Sequence, residues 1–325
     1  MTDTPNPSRW RRLAFRWGLT VVVVGVVAYF FATALWENWD EVAEQQLTFD
    51  VRWVVATLIF AVAVPLTGLL WGRMLRALDR GAAARVTHLE AIAVQCASWL
   101  LKYIPGQVGS VVNKVVWAGK KGVSRSLVVI TFVYENLFLQ FASIVPSVII
   151  LLLSLGPEIF GENATLLLLP LAILLPLAAV AYKPIFHRIV NVPARRVLKQ
   201  EVPESHFLST PQSLGFTLEF LGPRILNGAG FVLLATTIST IEPRLWLPFA
   251  AAYVLAGAIG ILAFFVPSGL GVREAVIVLV LSQYVPISEA IVISLLARLV
   301  STAADAVVAL IYVILRRTIP KESRP

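Results

Sequence analysis

The chain is 325 residues long, 58% hydrophobic and 14% charged, with a formal net charge of +8 and a mean hydropathy of +0.80. Soluble domains run at roughly 45–50% apolar, so an ordinary soluble domain is excluded, and the basic residues sit beside the ends of apolar stretches, which argues against nucleic-acid binding. A single cysteine, Cys96, excludes a disulfide framework, and His88, His187 and His206 follow no metal-ligand spacing, so neither a metal nor another cofactor is expected.

About 20 apolar residues are needed to cross a hydrocarbon core of about 30 Å. In chain order, such stretches cover approximately 15–36, 53–71, 127–153, 164–182, 214–238 and 289–315. The first ends near Ala32-Thr33-Ala34, which imitates a signal-peptide cleavage site. Its apolar region exceeds the ~7–15 residues of a signal peptide, so it reads as an uncleaved span. Basic clusters at 9–16, 73–85, 120–125, 183–199 and 316–324 alternate with acidic loops around Glu37–Glu44 and Glu158–Glu162. By the positive-inside rule this pattern puts both termini in the cytoplasm, with the basic clusters against anionic lipid headgroups. Segment 183–199 reads as a short amphipathic surface helix. Trp36, Trp39, Trp53, Trp71 and Trp246 fall near span ends and read as an interfacial belt.

Two further apolar segments are broken by Pro-x-x-x-Gly. In the first, 87–119, the break holds Pro105, Gly106 and Gly109; in the second, 247–284, it holds Pro267, Gly269 and Gly271. Each starts and ends on the same side of the membrane, so each is predicted to form a re-entrant hairpin. The predicted fold is an all-α polytopic membrane protein with about six full spans plus two re-entrant helical hairpins. Its two halves, 1–157 and 158–325, form an inverted-topology repeat within one transmembrane domain. Pro105 precedes Glu135 by 30 residues and Pro267 precedes Arg298 by 31, and Pro65 and Pro223 lie in the spans before the two hairpins.

Broken helices in matching positions of two halves point to a binding site near the midplane. A helix restarting at depth turns free N–H groups and a positive dipole end inward, which favours an anion. Lys102 and Lys114 flank the first break and Arg273 follows the second. Glu135, Arg224, Arg298 and Asp305 lie inside apolar segments, where each costs about 2.5–3.5 kcal/mol on insertion scales. Arg298 and Asp305 are seven apart and share a helix face with Ser301 and Thr302 nearby. Asn136, Gln140, Ser143 and Ser147 mark a second polar stripe, and Glu219, Arg224 and Asn227 a third. Together with the two breaks they describe a hydrated cavity inside the bundle, and the helix ends and cations suit a phosphate group better than a cation. An alternative for each embedded charge is a structural ion pair joining the halves. Sequence motifs for ATP hydrolysis, zinc peptidases and serine hydrolases are missing, so the chain reads as a non-enzyme.

Leu101-Lys102-Tyr103-Ile104-Pro105-Gly106, then Gly122-Val123-Ser124-Arg125 and Tyr134-Glu135-Asn136, resemble the lysylphosphatidylglycerol synthase transmembrane-region family. So does the segment 265–275, with Pro267, Gly269, Gly271, Arg273 and Glu274, followed by Ala297-Arg298. The resemblance runs from the first span to the last. Where the family carries a glutamate-arginine pair, this chain has Glu135-Asn136. The resemblance implies a flippase-like protein of the bacterial or archaeal cytoplasmic membrane, without the separate soluble synthase domain. Its substrate would be an anionic or aminoacylated phospholipid, or a polyprenyl-linked headgroup, moved between leaflets. The alternative is an accessory protein that binds a polyprenyl-phosphate sugar or an envelope-biosynthesis enzyme and transports nothing.

Overall fold

The computed structural model describes residues 49–103, 108–156, 182–197, 201–263 and 271–319, with Trp36, Ala172, Leu174, Leu175, Ala178 and Gly269. The expected spans at 15–36 and 164–182 fall almost wholly outside these residues, as do Pro105, Gly106, Pro267 and both termini. All regular structure among the described residues is helical.

Helix α1 (Val51–Leu78) starts at Asp50, whose carboxylate accepts from the Arg52 backbone N–H at 2.7 Å. That carboxylate also binds the Arg52 guanidinium, and the pairing holds its pKa below the ordinary aspartate value. Helix α2 (His88–Leu100) opens on a reciprocal cap between Thr87 and Glu90, which satisfies two otherwise orphan N–H groups. Helix α3 (Val108–Lys121) has 14 residues, about 21 Å at 1.5 Å per residue, short of a full crossing. Helix α4 (Arg125–Leu155) ends where Gly156 turns to φ +71°. Helix α5 (Lys183–Val197) carries Phe186 into an aromatic cluster with Tyr134 and Phe207.

The stretch expected as one span at 214–238 is two helices, α6 (Thr210–Glu219) and α7 (Leu221–Ala235). Pro223 explains the division. It has no N–H to give the Glu219 carbonyl, and its ring crowds that carbonyl, so the helix breaks at Phe220. Helices α8 (Trp246–Leu262), α9 (Val272–Leu281) and α10 (Ile287–Thr318) complete the described chain. At 10 residues, α9 spans only about 15 Å.

Among the described residues, five segments are long and apolar enough to cross a membrane: Val51–Leu78, Arg125–Leu155, Glu204–Ala235, Pro243–Leu262 and Ile287–Thr318. The protein is a multi-pass membrane protein. Helix α1 packs on α2, α4, α7 and α10, and α7 packs on α4, α8 and α10 as well. Helix α2 also packs on α3 and α10, α8 on α4 and α9, α3 on α4, and α9 on α10. The α1–α2 contact is tight because of glycine. A Cβ at Gly68 would stand 2.7 Å from Gln95 Cβ and 2.9 Å from Ile92 Cα. Of the expected interfacial tryptophans, Trp36 and Trp246 are exposed, but Trp71 is fully buried and donates its indole N–H to Thr131 Oγ1 at 3.2 Å. Trp71 is a core residue, because its helix face is covered by α3 and α4.

Candidate functional site

Helices α1, α2, α4, α7, α8 and α10 surround a cavity of about 190 Å³, closed in part by α3 and α9. Lys102, Lys114, Glu135, Asn136, Arg224, Gly269, Arg273 and Asp305 all line it. Elements far apart in the chain therefore bring most of the expected site residues to one place.

Lys114 of α3 and Glu135 of α4 form a fully buried ion pair, and Gln95 Nε2 of α2 donates to the other carboxylate oxygen at 2.7 Å. The Lys114 ammonium also lies 4.4 Å from the Trp71 ring centroid, a cation–π contact. Across the cavity, Asp305 Oδ1 accepts from Lys102 Nζ at 2.7 Å and from Trp99 Nε1 at 2.8 Å. Both lysines expected to face an anion are thus held by carboxylates of the chain.

The N-terminus of α9 departs from expectation in the same way. Glu274 Oε2 accepts from the Gly271 N–H at 2.7 Å, and Glu274 Oε1 stands 3.6 Å from Arg298. A carboxylate three residues into a helix satisfies the positive end that would otherwise attract an external anion. Glu274 and Arg298 line a smaller recess beside the main cavity, with Tyr253 and Arg273 between the two spaces. Gly109 and Gly271 do not line either space. Asn136 spends its amide on its own helix, donating to the Phe132 carbonyl at 2.9 Å.

Arg224 and Arg273 remain. Among the described residues neither guanidinium has a carboxylate within ion-pair distance, and the Arg224 Nε–H is buried without an acceptor. They line the same cavity, and Arg273 also lies within electrostatic reach of Glu274 and Asp305. Arg273 is aimed by its surroundings. Its guanidinium carbon lies 5.2 Å from the Tyr253 ring centroid, and Tyr253 stacks with Phe60 and with Phe231 at 5.2 and 4.7 Å. Its aliphatic stem passes over Gly260, where a Cβ would meet Cγ of Arg273 at 2.6 Å. Gly269 packs on the same glycine. With φ +62°, its own Cβ would stand 2.8 Å from the Gly260 Cα.

Among the described residues, four cations and two carboxylates line the cavity, an excess of two positive charges. The residues that sequence reasoning missed are Gln95, Trp99, Tyr253 and Gly260. Gly260 had a faint signal, as one of the small residues at 256–260 that let another backbone approach. The others carried none, since a lone Gln, Trp or Tyr in apolar sequence does not announce which neighbour it meets.

The model of the lysylphosphatidylglycerol synthase transmembrane region matches residues 17–309. The chain belongs to this family. No curated protein matches it. Three described residues of the segment 269–274 have a physical explanation in this chain. Gly269 permits the contact with Gly260, Arg273 enters the cavity, and Glu274 closes the helix start behind it.

Proposed function

We propose that this member of the lysylphosphatidylglycerol synthase transmembrane-region family is a lipid translocase of the bacterial or archaeal cytoplasmic membrane, with both termini cytoplasmic. The observation that carries the reading is the pair Arg224 and Arg273, facing one membrane-embedded cavity without a carboxylate partner among the described residues. Charged groups at such depth are costly unless a counter-charge arrives. A phosphate headgroup supplies one, and its acyl chains remain in the surrounding lipid.

An inverted repeat with two re-entrant hairpins gives such a site a way to alternate between faces. The helix packing supports it. Exchanging α1, α2, α3 and α4 for α7, α8, α9 and α10 converts each of the main packing contacts between these helices into another of the same set. The pair α1–α7 maps onto itself, α2–α10 maps onto α8–α4, and α3–α4 maps onto α9–α10. The short α3 and α9 correspond to the second arms of the hairpins.

The test is reconstitution of the full chain in liposomes with headgroup-labelled phospholipids, following accessibility of the label to a membrane-impermeant quencher. Movement above that of empty liposomes, lost in Arg273→Gln protein of unchanged melting temperature, is the expected result. Absence of movement for anionic, aminoacylated and polyprenyl-linked lipids alike would overturn translocation. Retained lipid binding without movement would favour the accessory role.

A further inference from the structure

We infer that the cavity selects a headgroup carrying two negative charges on phosphate, a phosphomonoester or diphosphate, and rejects cationic aminoacyl headgroups. This rests on reading the cavity as a lipid site. The argument begins with charge balance. Lys114 is matched by Glu135 and Lys102 by Asp305, while Arg298 is matched by Glu274 in the adjoining recess. Among the described residues Arg224 and Arg273 are left without a carboxylate in ion-pair distance, so the excess there is two positive charges.

Arginine cannot relieve this excess by losing a proton, because its guanidinium stays charged under all ordinary conditions. A buried lysine could. A headgroup with one negative charge leaves one guanidinium uncompensated, whereas one with two neutralises both. Each planar guanidinium can also take two phosphate oxygens side by side, and a terminal phosphate offers more free oxygens than a diester. An ammonium on the headgroup would meet the opposite situation. It would bring a third positive charge to a cavity whose carboxylates, Glu135 and Asp305, already accept from lysines and from Gln95 and Trp99.

The two guanidiniums are built differently. Arg273 is held by the Tyr253 stack and the Gly260 contact, so it is preorganised. Arg224 lines the same cavity with a buried, acceptorless Nε–H, a donor left to complete the clamp when the anion enters.

The purified full chain, in nanodiscs of phosphatidylcholine doped equally with phosphatidic acid, phosphatidylglycerol and lysylphosphatidylglycerol, tests this by mass spectrometry of the retained lipid. Phosphatidic acid is expected to be enriched about tenfold over phosphatidylglycerol, and lysylphosphatidylglycerol to be depleted below its share. Arg224→Gln and Arg273→Gln proteins of unchanged melting temperature should each bring the enrichment near unity. A second measurement needs no variant. Enrichment in the wild-type protein should rise between pH 5 and 8, as the phosphomonoester loses its second proton near pH 6, while phosphatidylglycerol retention stays flat. Equal retention of the two anionic lipids, a preference for the lysyl lipid, or enrichment unchanged by either substitution would overturn the inference. Glycerol 3-phosphate and pyrophosphate added as competitors separate a free phosphate from a lipid one. Displacement by them upholds the doubly charged site and overturns the lipid reading. Retained phosphatidic acid that never changes leaflet upholds the site and overturns translocation alone.

Discussion

Glu135 and Arg298 carry opposite charges and make the same kind of contact. Each lies on the long helix after a helix break, and each pairs with the short helix before it: Glu135 with Lys114 of α3, Arg298 with Glu274 of α9. The polarity is reversed but the mechanical result is the same. Each pair fastens a short helix to the following long one, and so fixes the wall of the cavity that the short helix forms.

The Lys114–Glu135 pair is the more deeply buried of the two, with side chains 1% and 5% exposed. Glu135→Ala should therefore destabilise the protein by about 3–5 kcal/mol, because it leaves a buried ammonium without its counter-charge. Replacing both partners, as Lys114→Met with Glu135→Leu, should recover most of that loss. Denaturant unfolding in detergent micelles measures both. A double variant as unstable as the single one would show that the pair does more than neutralise itself.

Gly269→Ala should cost at least about 1–2 kcal/mol from the left-handed backbone alone, with a further loss from the 2.8 Å approach to Gly260. Gly257→Ala is the control. Gly257 lies in α8, lines the same cavity and has open space where a Cβ would go, so alanine there should be neutral or stabilising by up to about 1 kcal/mol. Melting temperatures of the two variants test the contrast.

Lys102 and Asp305 join the end of α2 to α10, 203 residues later in the chain. A double-mutant cycle of Lys102→Met and Asp305→Asn should return a coupling of about 1 kcal/mol or more. A coupling near zero would mean that the contact does not hold the two helices together. Trp99→Phe, which removes a donor to the same carboxylate oxygen, should weaken the same coupling.

Cys96 is the chain's one cysteine and is fully buried on α2. In the folded protein it should resist maleimide labelling for as long as the bundle is intact, and react at once in denaturant. Labelling kinetics then report opening of the α2 contacts without any engineered probe. Rapid labelling of the native protein would contradict the packing.

Much of the architecture was legible in the sequence because membrane insertion leaves a strong one-dimensional record. Runs such as 127–153 and 289–315 have no soluble alternative, and α4 and α10 cover both. The same holds for the list of embedded charges, since Glu135, Arg224, Arg298 and Asp305 are conspicuous against apolar neighbours. The division of 214–238 at Phe220 was also written in Pro223, although its effect falls on a carbonyl four residues back.

The partners of those charges were not legible. Lys114 and Lys102 looked like anion ligands beside a helix break, and the α9 start looked like an open anion site. The structure assigns each of them a carboxylate of the chain, from 21 and 203 residues away for the lysines and three residues away for the helix start. Sequence by itself determined that the chain is a helical membrane protein, which residues bear charge at depth and which segments are broken, because these follow from transfer cost and backbone chemistry at each position. Only the tertiary structure decided which charges cancel. Electrostatic pairing depends on distances of a few ångströms between helices, and those distances arise from packing such as Gly260 against Gly269.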